Sequence, residues 1–62
     1  MAFIKNYSPK IGDWVKTTRA HSCLLGTMTR GSLVKIIDID SIRGYSIEDK
    51  EGNQVLEIGW TI

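Results

Sequence analysis

Six glycines, at positions 12, 26, 31, 44, 52 and 59, cut this chain into pieces of roughly strand-plus-turn length. Between them lie β-branched and aromatic runs, and no window keeps a helical period flanked by caps. Punctuation of this kind suits an antiparallel sheet, a sandwich or a small barrel. The 62 residues make one domain, which buries only about 60% of its unfolded surface. So thin a core weighs against a deep, rigidly supported catalytic pocket.

Cys23 is the single cysteine, so no internal disulfide staples the fold. Small secreted domains with thin cores usually carry several, and a lone thiol fits a reducing compartment better. No apolar run reaches the length of a signal peptide or a membrane span. The expectation is a cytoplasmic protein with no membrane partner.

The formal net charge of +1 is too small to imply a nucleic-acid partner by itself, but it is unevenly spread. Residues 1–37 carry Lys5, Lys10, Lys16, Arg19, Arg30 and Lys35 against Asp13, or +5. Residues 38–62 carry Arg43 and Lys50 against Asp38, Asp40, Glu48, Asp49, Glu51 and Glu57, or −4. Either the halves interleave in space or the molecule has a basic and an acidic side.

The first strand is expected over 14–19, after a turn at Ile11-Gly12-Asp13, with Val15 and Thr17 alternating against Trp14, Lys16 and Thr18. Residues 20–29 read as a long folded-over loop. The strongest strand signal covers 32–39, where apolar residues on both parities imply one long, bent strand. After a turn at 41–44, strands over 44–49 and 54–59 form a hairpin. A loop with an even number of residues pairs Ile47 with Leu56 and Tyr45 with Ile58; a three-residue loop pairs Ile47 with Val55. A one-residue slip flips every side chain. The even loop gathers Tyr45, Ile47, Leu56 and Ile58 and leaves only Val55 exposed, so it is the expected register. Val34 and Ile36 join that core, with Val15 opposite.

Gly12-Asp13-x-Val15, then Arg30-Gly31 before a strand ending Ile36-Ile37-Asp38, then Gly44-Tyr45-x-Ile47-x-Asp49 and Gly52-Asn53, follow in order. This resembles the small bacterial and phage-type SH3-like barrels, including the KOW modules of ribosomal and transcription proteins. The resemblance covers about residues 10–62, leaving 1–9 as an N-terminal arm. It implies an all-β, single, strongly bent five-stranded barrel, and it is the source of the reading as a phage or mobile-element accessory or inhibitor protein. It implies no activity, because function sits in sites grafted on a fold. The aromatic-acidic signature of proline-rich-peptide binding is missing.

His21 and Cys23 share a strand face, as a thiolate–imidazole dyad requires, but no oxyanion donors or cleft accompany them. A loop histidine beside a small hydrophobe is the preferred reading. One His and one Cys cannot close a zinc site, and no glycine-rich phosphate loop is present. Asp38 and Asp40 read as a solvated strand end rather than a cation site. No catalytic residue, metal or cofactor is expected.

The aromatics carry the remaining signal. If Val15 faces inward, Trp14 faces out or lies under Phe3, Ile4 and Tyr7, while Trp60 is placed to plug the barrel mouth. Lys16 and Thr18 share the parity of Trp14, and Arg19, His21 and Arg30 flank the strand's far end. The expected partner-binding face is therefore Trp14, Lys16, Arg19 and Arg30, with Trp60 as a fifth member, on a protein partner. The alternative is a KOW-like nucleic-acid module using Lys10, Lys16, Arg19, His21, Arg30 and Lys35 on phosphates. A third reading is self-association through open sheet edges.

Overall fold

The computed structural model describes residues 9–24 and 26–62. The arm over 1–9, with Phe3, Ile4 and Tyr7, lies outside the described residues except for Pro9. All regular structure among them is β: β1 (Trp14–Lys16), β2 (His21–Cys23), β3 (Gly26–Met28), β4 (Leu33–Asp40), β5 (Gly44–Asp49) and β6 (Gln54–Val55). No described segment is a helix long and apolar enough to cross a membrane.

The strands form a four-stranded antiparallel sheet in the order β1-β4-β5-β6 and a separate β2-β3 hairpin. This corrects the expectation of one closed five-stranded barrel. Two departures from the expected elements account for it. Within 20–29, expected as a loop, His21–Cys23 pairs with Gly26–Met28, His21 opposite Met28 and Cys23 opposite Gly26. The last strand stops after Val55 instead of running on to 59 and closing the sheet.

The core lies under β4 and β5. Val34, Ile36, Tyr45 and Ile47 are buried, joined by Met28 from the hairpin, with Val15, Ile39, Val55, Ile58 and Ile62 packed around them. β4 supplies inward residues on both parities because it is bulged: Ile36 pairs with Ile47, but Asp38 pairs with Ser46. Ile37 is the extra residue. A bulge inverts the alternation beyond it, so Ile39 comes to lie opposite Tyr45 on the same face.

The chain on the other side of β5 does the same at the same level. Val55 pairs with Ile47, and beyond it the amide of Ile58 donates to the carbonyl of Tyr45 at 2.9 Å. Between these two rows β5 places one residue, Ser46, while β4 places Ile37 and Asp38 and the C-terminal segment places Leu56 and Glu57. Ser46 is buried, and its Oγ accepts the amide of Glu57 at 3.0 Å. Glu57 takes φ 56°, the sole non-glycine at positive φ among the described residues. The result is two core rows, Ile36–Ile47–Val55 and Ile39–Tyr45–Ile58.

The even-loop register is therefore wrong. Leu56 is 61% exposed, and Val55 is half-buried against the core. The loop has three residues, Lys50-Glu51-Gly52, closed by the Gly52 amide on the Asp49 carbonyl at 3.2 Å and the Asp49 amide on the Asn53 carbonyl at 2.9 Å. Gly52, at φ 86°, fills the left-handed position such a loop demands. The Asp49 carboxylate accepts the amides of Glu51 and Asn53 and the Nδ2 of Asn53, at 2.9 to 3.0 Å. The Asn53 side chain, helped by those amides, holds its carboxyl below the ordinary range. Asp40 organises the preceding turn likewise: its Oδ1 accepts the amides of Arg43 and Ile42, which lower its pKa in that order.

At the foot of β5 the backbone of Gly44 lies against that of Gly59. A Cβ built on Gly44 would overlap the Gly59 carbonyl, and its φ is 87°. This close approach brings in the C-terminal segment, whose Gly59 amide donates to the Arg43 carbonyl at 2.9 Å.

Candidate partner-binding face

The side of the sheet opposite the core is built by single-residue steps away from the buried rows. Val15 faces inward in β1, so Trp14 and Lys16 face out, as their parity predicts. The register sets Trp14 opposite Lys35, Lys35 opposite Glu48, and Glu48 opposite Gln54. One row of outward side chains thus crosses all four strands. Trp14 stays 47% exposed, and Lys35 Nζ lies 5.8 Å from its ring centroid, within cation–π range. Further along the row, Gln54 Nε2 donates to Glu48 Oε2 at 3.3 Å. Lys16 stands opposite Leu33, itself exposed, so two apolar groups and two ammonium groups share this end of the sheet.

β1 is an edge strand among the described strands. The amide of Ile36 donates to the Asp13 carbonyl and that of Thr17 to the Ser32 carbonyl, each at 2.9 Å. By the alternation of an antiparallel ladder, the N–H and C=O of Trp14 and Lys16 point away from β4. Arg30 is exposed on the turn before β4. That turn is tied to the end of β1: the Thr17 hydroxyl donates to the Thr29 carbonyl at 3.1 Å, and the Gly31 amide to the Thr17 carbonyl at 2.9 Å.

Arg19 and Trp60 are placed differently. The Arg19 guanidinium donates to the carbonyls of Ile58 at 2.9 Å and Thr61 at 3.2 and 3.3 Å. Its charge serves to hold the C-terminal segment, as does His21, whose Nε2 lies 2.7 Å from the main-chain oxygen of Ile62. Trp60 packs edge-on against Tyr45, with centroids 5.2 Å apart at 78°, and remains 55% exposed. Because Tyr45 belongs to the core rows, Trp60 sits on that side of the sheet and does not join Trp14. Lys35 and Leu33, absent from the expected face, stand on the same side of the sheet as Trp14 and Lys16. The signal was their outward parity in β4, but assigning them needed the β1–β4 register.

Cys23 is a free, half-buried thiol at the end of β2. Among the described residues, no three His, Cys, Asp or Glu side chains come together as metal ligands would. Comparison with models of protein families finds no match, and neither the curated proteins nor the solved structures include a significant one.

Proposed function

We propose that this chain is a non-enzymatic protein-interaction module that docks through the outer end of its sheet, at Trp14, Lys16, Leu33 and Lys35, with Arg30 at the rim. The observation that carries this reading is the half-exposed Trp14 in an edge strand, flanked by ammonium groups. An aromatic anchor with a charged rim suits a protein surface bearing carboxylates. The four-stranded sheet with a two-stranded hairpin against it is read as an SH3-like arrangement, and a free thiol fits a reducing compartment. An accessory or inhibitory role on a larger host protein is consistent with a domain that is nearly all surface.

A nucleic-acid module is the second reading, favoured by Lys35 lying over a ring on which a base would stack. Two observations weigh against it. Glu48 stands in the same row, and two of the six groups proposed for phosphate, Arg19 and His21, are engaged with C-terminal oxygens.

The experiment is capture of partners from the native host, followed by association and dissociation rates for the captured protein. Lys16→Glu and Lys35→Glu should slow association and flatten its salt dependence. Tight, steeply salt-dependent binding to single-stranded or duplex nucleic acid would move the assignment to the second reading.

A further inference from the structure

The two edges of the four-stranded sheet differ. β6 has the hairpin strand β2 against it, whereas β1 touches only β4 among the described strands. β1 bonds to β4 through the residues on either side of its bonding step, Asp13 to Ile36 and Thr17 to Ser32. The N–H and C=O of Trp14 and Lys16 are therefore directed away from β4, and no described strand takes them up. Neither proline nor a bulge interrupts Trp14-Val15-Lys16. Cations surround this edge. Lys10, Lys16 and Arg30 are exposed, and Lys35 lies over the Trp14 ring. The nearest carboxylate in the chain, that of Asp13, accepts the Lys10 amide at 2.9 Å. Glu48 stands on β5, beyond Lys35 in the row, and accepts Gln54 Nε2. A second copy would bring a like-charged edge against this one, so the occupant that fits has the opposite sign.

We infer that an extended acidic segment of a partner protein adds to β1 as a further strand, bonded through the main chain of Trp14 and Lys16. The inference rests on the docking reading above and supplies its mode and the chemistry of the partner. Every second residue of the segment stands on the outer face, where its carboxylates meet Lys16 and Arg30 and its stem covers the indole. The residues between them lie beside Val15, half-buried at the margin of the core, and are apolar. Main-chain bonds fix the direction of the segment, Trp14 supplies buried area, and the cations select sign.

Selection of displayed random linear peptides against the full chain tests it, followed by binding of the enriched peptides in synthetic form. The expected result is enrichment of peptides that alternate acidic and apolar residues. In the wild-type protein the amides of Trp14 and Lys16 should shift on binding and become protected from hydrogen exchange, a readout that needs no variant. Lys16→Pro should bind these peptides about tenfold more weakly than Lys16→Ala, as the loss of one hydrogen bond implies. Both variants lack the ammonium group, but only proline lacks the amide, and an edge strand tolerates proline where its N–H faces outward. Failure to enrich acidic peptides, or equal affinity in folded Lys16→Pro and Lys16→Ala, would overturn the inference. Peptides lost in Trp14→Ala that leave both amides unprotected would remove the added strand and keep the docking face. Peptides indifferent to Trp14→Ala would remove the docking face and the inference with it. A concentration-dependent dimer that protects the same two amides without peptide would also overturn it, since a second copy would then occupy the edge.

Discussion

Two rows of side chains cross β4, β5 and β6 on opposite faces, one residue apart. The inner row is Ile36–Ile47–Val55; the outer row is Lys35–Glu48–Gln54, extended by Trp14 on β1. Ile36 and Ile47 have no solvent exposure at all. The inner row is held by close packing, where every removed methylene leaves a void. The outer row is held by a cation–π contact and an exposed amide–carboxylate bond, each worth little in water. If the outer face is the docking surface proposed above, stability and recognition are separated by the pleat of a single sheet. Substitutions that sort by face sharpen the comparison; substitutions that mix the two effects break it.

Ile47→Ala is expected to have the largest effect, a loss of about 2–5 kcal/mol in urea or thermal unfolding, because the side chain is enclosed on both flanks by its row. Glu48→Ala, one residue away, should change stability by less than about 0.5 kcal/mol. Equal losses at the two positions would dissolve the distinction between the rows.

Gly44→Ala comes next. Its φ of 87° costs roughly 1–2 kcal/mol for an L residue, and the new Cβ must push Gly59 away. The C-terminal segment should loosen, seen as faster amide exchange at Ile58 and Gly59. A variant with wild-type stability and protection would contradict the close approach of these two glycines.

The bulge is tested by neighbouring residues in the last strand. Val55→Ala should cost about 1 kcal/mol for a half-buried side chain, and Leu56→Ala less than about 0.5 kcal/mol. The reverse order would restore the even-loop register.

A smaller effect is expected with pH. The carboxyls of Asp40 and Asp49 titrate below the ordinary value of 3.8 in the folded chain. A folded-state pKa below the unfolded one gives stability that is present above the unfolded value and lost as pH falls through the folded value. Urea midpoints should hold from about pH 6 to 5 and decline as the aspartates protonate. Asp49→Asn should flatten part of that decline. A midpoint unchanged down to about pH 2 would show that these turn carboxylates contribute nothing.

Much of the β4–β5 pair is legible in the sequence, because Val34, Ile36, Tyr45 and Ile47 keep the period of 2 that a buried face imposes. The outward parity of Trp14 and Lys16 follows from Val15 in the same way. The bulges are harder to read. Each is one extra residue, and uniform alternation carried from Ile47 through to Ile58 selects Leu56 over Val55. A local signal for the correct loop was present: Asp49 followed three residues later by Gly52 fits a type I turn leading into a left-handed glycine. The β2-β3 hairpin is hard to read because Met28 is the one strongly apolar residue among those that alternate with Ser22 and Thr27 in its two strands. Arg19 and Trp60 depend on contacts with residues far along the chain, Arg19 with Ile58 and Thr61, Trp60 with Tyr45. No periodicity within a strand encodes such contacts.

Docking through the Trp14 end of the outer face meets its most direct test in the dissociation rate of the captured partner from Trp14→Ala, read beside the variant's urea midpoint. Truncating an interface tryptophan costs about 2 kcal/mol or more, so dissociation should accelerate by roughly thirtyfold while the midpoint stays close to wild type. Unchanged dissociation, or a midpoint that collapses with it, would contradict the assignment of Trp14 to a binding face rather than to the fold.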